Sequence, residues 1–249
     1  MGVVLLVRHG QASFGAEDYD VLSEVGWAQS RRLGEHLAAR GVVPDVVVRG
    51  GMRRHRETVE GMLEGAGWSV PVEQDRGWDE FDHLGVVAAH PEVPDSRGGH
   101  DPTESRRDFQ RLFEAATRRW TSGDHEQDYS EPFASFRWRV LSALTRASVR
   151  AGPGGTVAVV SSGGPIGVVA GHLVAPASTG APGESQQAEP HDGPRAGPNA
   201  DRIAAELWAR FNAVVVNTSF TRLVIGSTGP RLLTFNEHPH LEGDHLTYR

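Results

Sequence analysis

Residues 3–10 read VVLLVRHG. A Val-rich apolar run of five residues is too short for a helix and predicts a strand buried on both faces, as in a parallel sheet. The run ends in Arg8-His9-Gly10. In open α/β sheets, ligands bind at the carboxyl ends of strands. An imidazole placed there serves as nucleophile or base, because it is partly neutral near pH 7. The Arg8 guanidinium offers a planar fork to a phosphate or carboxylate. Gly10 lets backbone N–H groups come close to an anion. Taken alone, the tripeptide also fits a capped strand end with a hydrogen-bonded histidine.

Working outward, DVVV at 45–48 and TVAVVS at 156–161 repeat the buried-strand pattern. Ser23 reads as the N-cap of a helix running to Arg40, with Gly41 as its stop, and a second helix spans 52–65, closed by Gly65 and Gly67. Pro165 suits the first turn of a helix reaching Val174. Strands alternating with helices predict an α/β fold, a three-layer α/β/α sandwich around a mainly parallel sheet. Residues 213–226 and 231–236, separated by the turn GSTGP at 226–230, predict an antiparallel C-terminal edge. The whole chain, 1–249, reads as one domain with an insertion at about 82–151 over the active site. That insertion opens with an irregular loop at 82–103 and continues in helices at about 104–121 and 131–151. Residues 175–200 hold almost no large apolar side chain and read as a flexible surface loop before a helix at 201–211.

The second and third strand ends add anion chemistry to the first. After 45–48 come Arg49-Gly50-Gly51-Met52-Arg53-Arg54-His55-Arg56-Glu57-Thr58, at the start of a helix whose free N–H groups face the same sheet edge as His9. Arg53 and Arg56 read as solvated charges. Strand 156–161 runs into Ser162-Gly163-Gly164, which fits an anion cradle or a tight turn.

Composition excludes whole classes. The 249 residues contain no Cys, and all 25 basic residues are Arg. Disulfides, thiolate zinc sites, cysteine nucleophiles, a Walker-type lysine and Schiff-base chemistry are therefore ruled out. A net charge of -7 speaks against a general nucleic-acid binder. No apolar run reaches the ~20 residues of a membrane span, and the start lacks a signal-peptide pattern, so a cytoplasmic protein with no membrane partner is expected. The 12 His are scattered, with His238 and His240 the close pair, and no metal-ligand spacing appears, so no metal and no cofactor are expected.

Several segments together resemble the histidine phosphatase superfamily, the phosphoglycerate-mutase-like proteins. They are LLVRHGQAS at 5–13, LSEVGWAQSRRLGEHL at 22–37, RHRET at 54–58, WDEF at 78–81, VVSSGGPIG at 159–167, NTSFTRL at 217–223 and FNEHPHL at 235–241. The resemblance implies that His9 takes the phosphoryl group as a phosphohistidine. It implies that Arg8 and Arg54 hold the phosphate, helped by Gly10, Ser162 and Gly163, with Ser13 as a further contact. Glu80 aligns with the acid that protonates the leaving oxygen and then activates water. Its apolar neighbours Trp78 and Phe81 fit a raised carboxyl pKa, while Asp79 and Asp82 are rival acids.

Two positions depart from the resemblance. The family usually carries a second His where this chain has Ser162, and many relatives have Ser where it has Gly50. A lost charge-assisted bond costs roughly 1.5–3 kcal/mol, or about ten- to a hundred-fold in rate. Ser-Gly-Gly also occurs among relatives, so the change fits a subgroup. His240 is a candidate to supply the missing imidazole if the C-terminal segment folds over the pocket. The leading expectation is a phosphomonoester hydrolase acting on a small phosphorylated metabolite. A low-activity phosphate-binding module and a phosphoglycerate mutase are the alternatives. A metal hydrolase ranks last, and the oligomeric state, with a homodimer as one option, stays open.

Overall fold

In chain order the elements are β1 (Gly2–Arg8), α1 (Glu24–Ala39), β2 (Val46–Arg49), α2 (Arg53–Ala66), β3 (Val72–Gln74), α3 (His83–Ala88), α4 (Pro102–Ser122) and α5 (Phe133–Ala151). There follow β4 (Thr156–Ser161), α6 (Gly163–Val174), α7 (Pro198–Asn212), β5 (Phe220–Gly226) and β6 (Gly229–Glu237). The computed structural model describes residues 1–13, 20–91, 102–175 and 198–248. Most of the 175–200 stretch read as a surface loop, and part of 82–103, therefore lie outside the described residues.

The six strands form one sheet in the order β3-β2-β4-β1-β5-β6. The first four run parallel, and β5 and β6 are antiparallel. The fold is α/β, with a mainly parallel sheet and an antiparallel C-terminal edge. Register is what builds the site: Arg8 pairs with Ser161, and Arg49 with Val160. The loops after β1, β2 and β4 thus leave from one edge.

The chain divides into two compact units, one of Met1–Glu80, Arg139–Pro176 and Glu206–Arg249, the other of Phe81–Trp138 and Ala177–Ala205. The first carries the sheet. Leu5, Val7, Val47, Ala158 and Val160 pack with Leu33 and Leu37 of α1 and Val59 and Met62 of α2. The alternate residues Val4, Leu6, Val157 and Val159 are equally buried, so both faces are covered, as the apolar runs require. Helices α1 and α2 pack so closely that a Cβ at Gly34 would stand 2.1 Å from the Met62 carbonyl oxygen, and one at Gly65 2.1 Å from that of Arg31. In the second unit, Phe81 stacks on Trp120 with ring centroids 4.7 Å apart, and Phe133 meets Trp120 at 5.0 Å. The Trp120 indole N–H donates to the Glu131 carbonyl at 2.9 Å.

Ser23 caps α1, its hydroxyl accepting from the Gly26 N–H at 3.1 Å, and Gly67 ends α2 in the left-handed region at φ 65°. Four readings of the sequence need correction. Residues 213–219 are not strand, since β5 starts at Phe220. There Thr218 turns left-handed, at φ 56°, and its N–H reaches back to the Arg8 carbonyl at 3.1 Å. The irregular 82–103 stretch contains α3, capped by Asp82 through the Gly85 N–H at 2.9 Å. Helix α7 begins at Pro198 rather than 201, since proline suits a first helical turn. The edge strand β3 gave no apolar signal because all three of its residues are exposed.

Candidate active site

His9 leaves the end of β1 with its N–H on the Ser161 carbonyl at 2.9 Å. Its ring Nδ1 lies 2.7 Å from the Gly10 carbonyl oxygen. A carbonyl only accepts, so Nδ1 carries the proton and Nε2 keeps its lone pair. Burial, followed by the charges of Arg54 and Arg8 and the His55 ring, pushes the His9 pKa well below its ordinary 6.5. The imidazole is therefore held neutral at physiological pH.

A buried polar frame fixes this strand exit. The Asn217 amide donates to the His9 carbonyl at 3.1 Å, and Thr247 Oγ1 donates to Asn217 Oδ1 at 2.9 Å. Gln29 Nε2 donates to Thr247 Oγ1 at 2.8 Å, while Gln29 Oε1 accepts from the Gln11 N–H at 2.9 Å. Gln29 and Asn217 are fully buried, and such satisfied networks rigidify what they hold. The sequence reading missed Gln29 and Thr247. A glutamine on the apolar face of α1 was the available signal.

Arg8 reaches the carbonyls of Val215 and, at 2.7 Å, Tyr248. Arg54, in the first turn of α2, is 4% exposed and pairs with Asp20 at 2.7 Å. Arg53 and Arg56 are exposed instead: Arg53 pairs with the buried Glu57 at 2.7 Å and Arg56 with the half-exposed Glu60 at 3.5 Å. The Gly10 N–H does not stand open to an anion. It donates to Thr58 Oγ1 at 3.0 Å, and the glycine is needed because a Cβ would sit 2.5 Å from the Gly26 carbonyl oxygen.

Ser162 and Gly163 open α6, both buried. Glu80 Oε2 accepts from the Gly164 N–H at 3.1 Å, which holds the carboxyl group at the start of α6. The Ser161 hydroxyl donates to the Trp78 carbonyl at 2.7 Å and ties the WDEF segment to β4. Of the rival acids, Asp82 caps α3, whereas Asp79 accepts from the Gly51 N–H, and burial raises its carboxyl pKa. Ser13 pairs through its N–H with the Val21 carbonyl at 2.8 Å.

His240 does not join this cluster. Its Nε2 meets Thr218 Oγ1 at 3.1 Å, and its ring lies 5.5 Å from that of His36, in a groove lined by Arg31, Arg32 and Glu35 of α1 and by Arg40 just past its end. His55 takes a place at the cluster that the sequence reading left unassigned. It is fully buried, its Nε2 is 2.8 Å from Ser162 Oγ, and its ring is 5.8 Å from that of His9. Among the described residues no group of three or more His, Asp or Glu is arranged to hold a metal ion. No helix among them is long and apolar enough to cross a membrane.

A family model described as the histidine phosphatase superfamily (branch 1) matches residues 4–182. No curated protein sequence matches the chain. Solved structures share the fold. A phosphoserine phosphatase from Entamoeba histolytica aligns over 97% of this chain and 100% of its own at 17% identity, with a TM-score of 0.60. A phosphoglycerate mutase from Bacillus anthracis covers 96% of this chain and 94% of its own at 17% identity, TM-score 0.61. A mycobacterial glucosyl-3-phosphoglycerate phosphatase covers 95% and 99% at 20% identity, TM-score 0.57.

Proposed function

The chain belongs to the histidine phosphatase superfamily, branch 1, and from that membership we propose that it hydrolyses a phosphomonoester of a small metabolite through a phosphohistidine at His9. The observation that carries the proposal is the 2.7 Å bond from His9 Nδ1–H to the Gly10 carbonyl, which leaves the Nε2 lone pair free to attack, on a ring that feels the charges of Arg54 and Arg8. Nε2 attacks phosphorus, and the bond from phosphorus to the ester oxygen breaks. Glu80 gives its proton to the departing oxygen. In the second half, Glu80 takes a proton from water, the hydroxide displaces His9 from phosphorus, and inorganic phosphate leaves. Arg8 and Arg54 neutralise the charge spread over the phosphoryl oxygens in both halves, where positioning and electrostatics supply most of the acceleration. The reading includes no cofactor and a cytoplasmic setting.

The test is hydrolysis of a generic aryl phosphate by the parent, His9→Ala, Glu80→Gln and Asp79→Asn, with chelator present. Turnover by the parent, a phosphoryl adduct trapped on His9, and a larger loss in Glu80→Gln than in Asp79→Asn are expected. Phosphate binding without turnover in the parent would return the chain to the binding-module reading. The opposite order of the two acid variants would move the acid to Asp79.

A further inference from the structure

His55 is the third residue of α2 and has no solvent exposure. Its Nε2 lies 2.8 Å from the hydroxyl of Ser162, while its Nδ1 has no hydrogen-bond partner. The ring is aimed at Gly50. A Cβ on residue 50 would stand 2.2 Å from Nδ1 and 2.8 Å from Cε1, so the imidazole occupies this place only because residue 50 is glycine. Asp79 Oδ1 approaches the same point, at 2.9 Å, and is engaged by the Gly51 N–H.

The tautomer follows from this packing. Along the direction of the missing Cβ, glycine presents a Cα–H. A bare Nδ1 accepts that weak contact, whereas an Nδ1–H would oppose it and would itself be a buried, unsatisfied donor. The ring proton is therefore on Nε2, which donates to Ser162 Oγ. The hydroxyl hydrogen of Ser162 is then not spent on His55 and is left for a ligand oxygen. Burial, with the charges of Arg54 and Arg49 added to it, holds the ring neutral.

We propose that His55 is a positioning residue that aims the Ser162 hydroxyl at the phosphoryl group beside His9, with Gly50, His55 and Ser162 acting as one unit. Helix α2 thereby brings an imidazole to the β4 end, where the strand itself carries only a hydroxyl. The proposal rests on the reading of His9 as phosphoryl acceptor.

The experiment compares the parent with Ser162→Ala, His55→Ala, His55→Phe, His55→Gln and the Ser162→Ala/His55→Ala double variant. It reads kcat and KM on an aryl phosphate and, by calorimetry, affinity for inorganic phosphate. Ser162→Ala and His55→Ala each lower kcat about tenfold, the scale of one well-aimed hydrogen bond, with little change in KM. The double variant is no slower than Ser162→Ala, because His55 acts through that hydroxyl. His55→Gln, whose amide N–H reaches close to the Nε2 position, recovers to within about threefold of the parent, while His55→Phe fills the space without a donor and stays as slow as His55→Ala. A double variant slowed by the product of the two single losses overturns the proposal, as does a His55→Phe protein running at the parent's rate. If the parent turns over no phosphomonoester, the hydrolase reading fails by itself, and phosphate affinity then decides this one. Ser162→Ala and His55→Ala weakening phosphate binding together and without additivity supports it. An unchanged affinity in either variant overturns it.

Discussion

Two pairs of imidazoles lie close together among the described residues. The rings of His9 and His55 are 5.8 Å apart, and those of His36 and His240 are 5.5 Å apart. In both pairs burial heads the causes that lower the pKa of each ring below 6.5, and arginines add to it. They differ in what their bonded nitrogens meet and in where they stand. His9 Nδ1 is tied to the Gly10 carbonyl and His55 Nε2 to Ser162. In the other pair, Arg40 donates to His36 Nδ1 at 3.0 Å, and neither His36 Nε2 nor His240 Nδ1 has a hydrogen-bond partner. One pair stands where β1 and β4 end, the other in a groove along α1. Proximity and a depressed pKa are thus common to both. The place at the strand ends sets the His9–His55 pair apart.

The comparison is most easily broken by exchanging its members. His9→Gln lowers kcat by about a thousandfold or more, the order of loss when a covalent nucleophile is removed, while His240→Gln stays within about twofold of the parent. An equal loss in the two variants would put His240 back at the site. Arg54→Ala, which removes a charged partner from the His9 side alone, lowers kcat/KM about ten- to a hundred-fold. Steady-state kinetics reads both.

The smallest effect tests what the pairs share. A histidine held neutral in the folded state takes up a proton on unfolding once the pH falls below its unfolded value. Its contribution to stability is whole above pH 6.5 and is lost as the pH falls below that, down to the folded pKa. For His240, whose pKa is pushed down to about 3, the loss is about 1.4 kcal/mol per pH unit below 6.5. The melting temperature therefore drops by several degrees between pH 7 and pH 5. His240→Gln and His55→Gln each flatten that slope, and a slope unchanged in both variants contradicts the burial argument.

Much of this was legible in advance. Short Val-rich runs, from three apolar residues in β2 to five in β1, fit buried parallel strands, so β1, β2 and β4, and the residue types at their ends, could be read directly. Thr218 was not, because Val214 to Val216 carry strand-forming side chains while the segment is used to bond the end of β1. His55 was hidden in an arginine-rich helix start, where charge runs are usually solvated. Its neighbours Arg53 and Arg56 are solvated, and it is not.

By itself the sequence determined the buried strands β1, β2 and β4, their alternation with helices, and the residue types at their ends, because hydrophobic period and residue chemistry are local. The tertiary structure decided which of those residues meet. The register of β1, β2 and β4 brings the strand ends at Arg8, Arg49 and Ser161 to one sheet edge, while His240 packs beside His36 of α1. The missing Cβ of Gly50 decides where His55 points. Contacts between residues more than a hundred positions apart, such as His55 with Ser162, are set by packing, which local patterns do not encode.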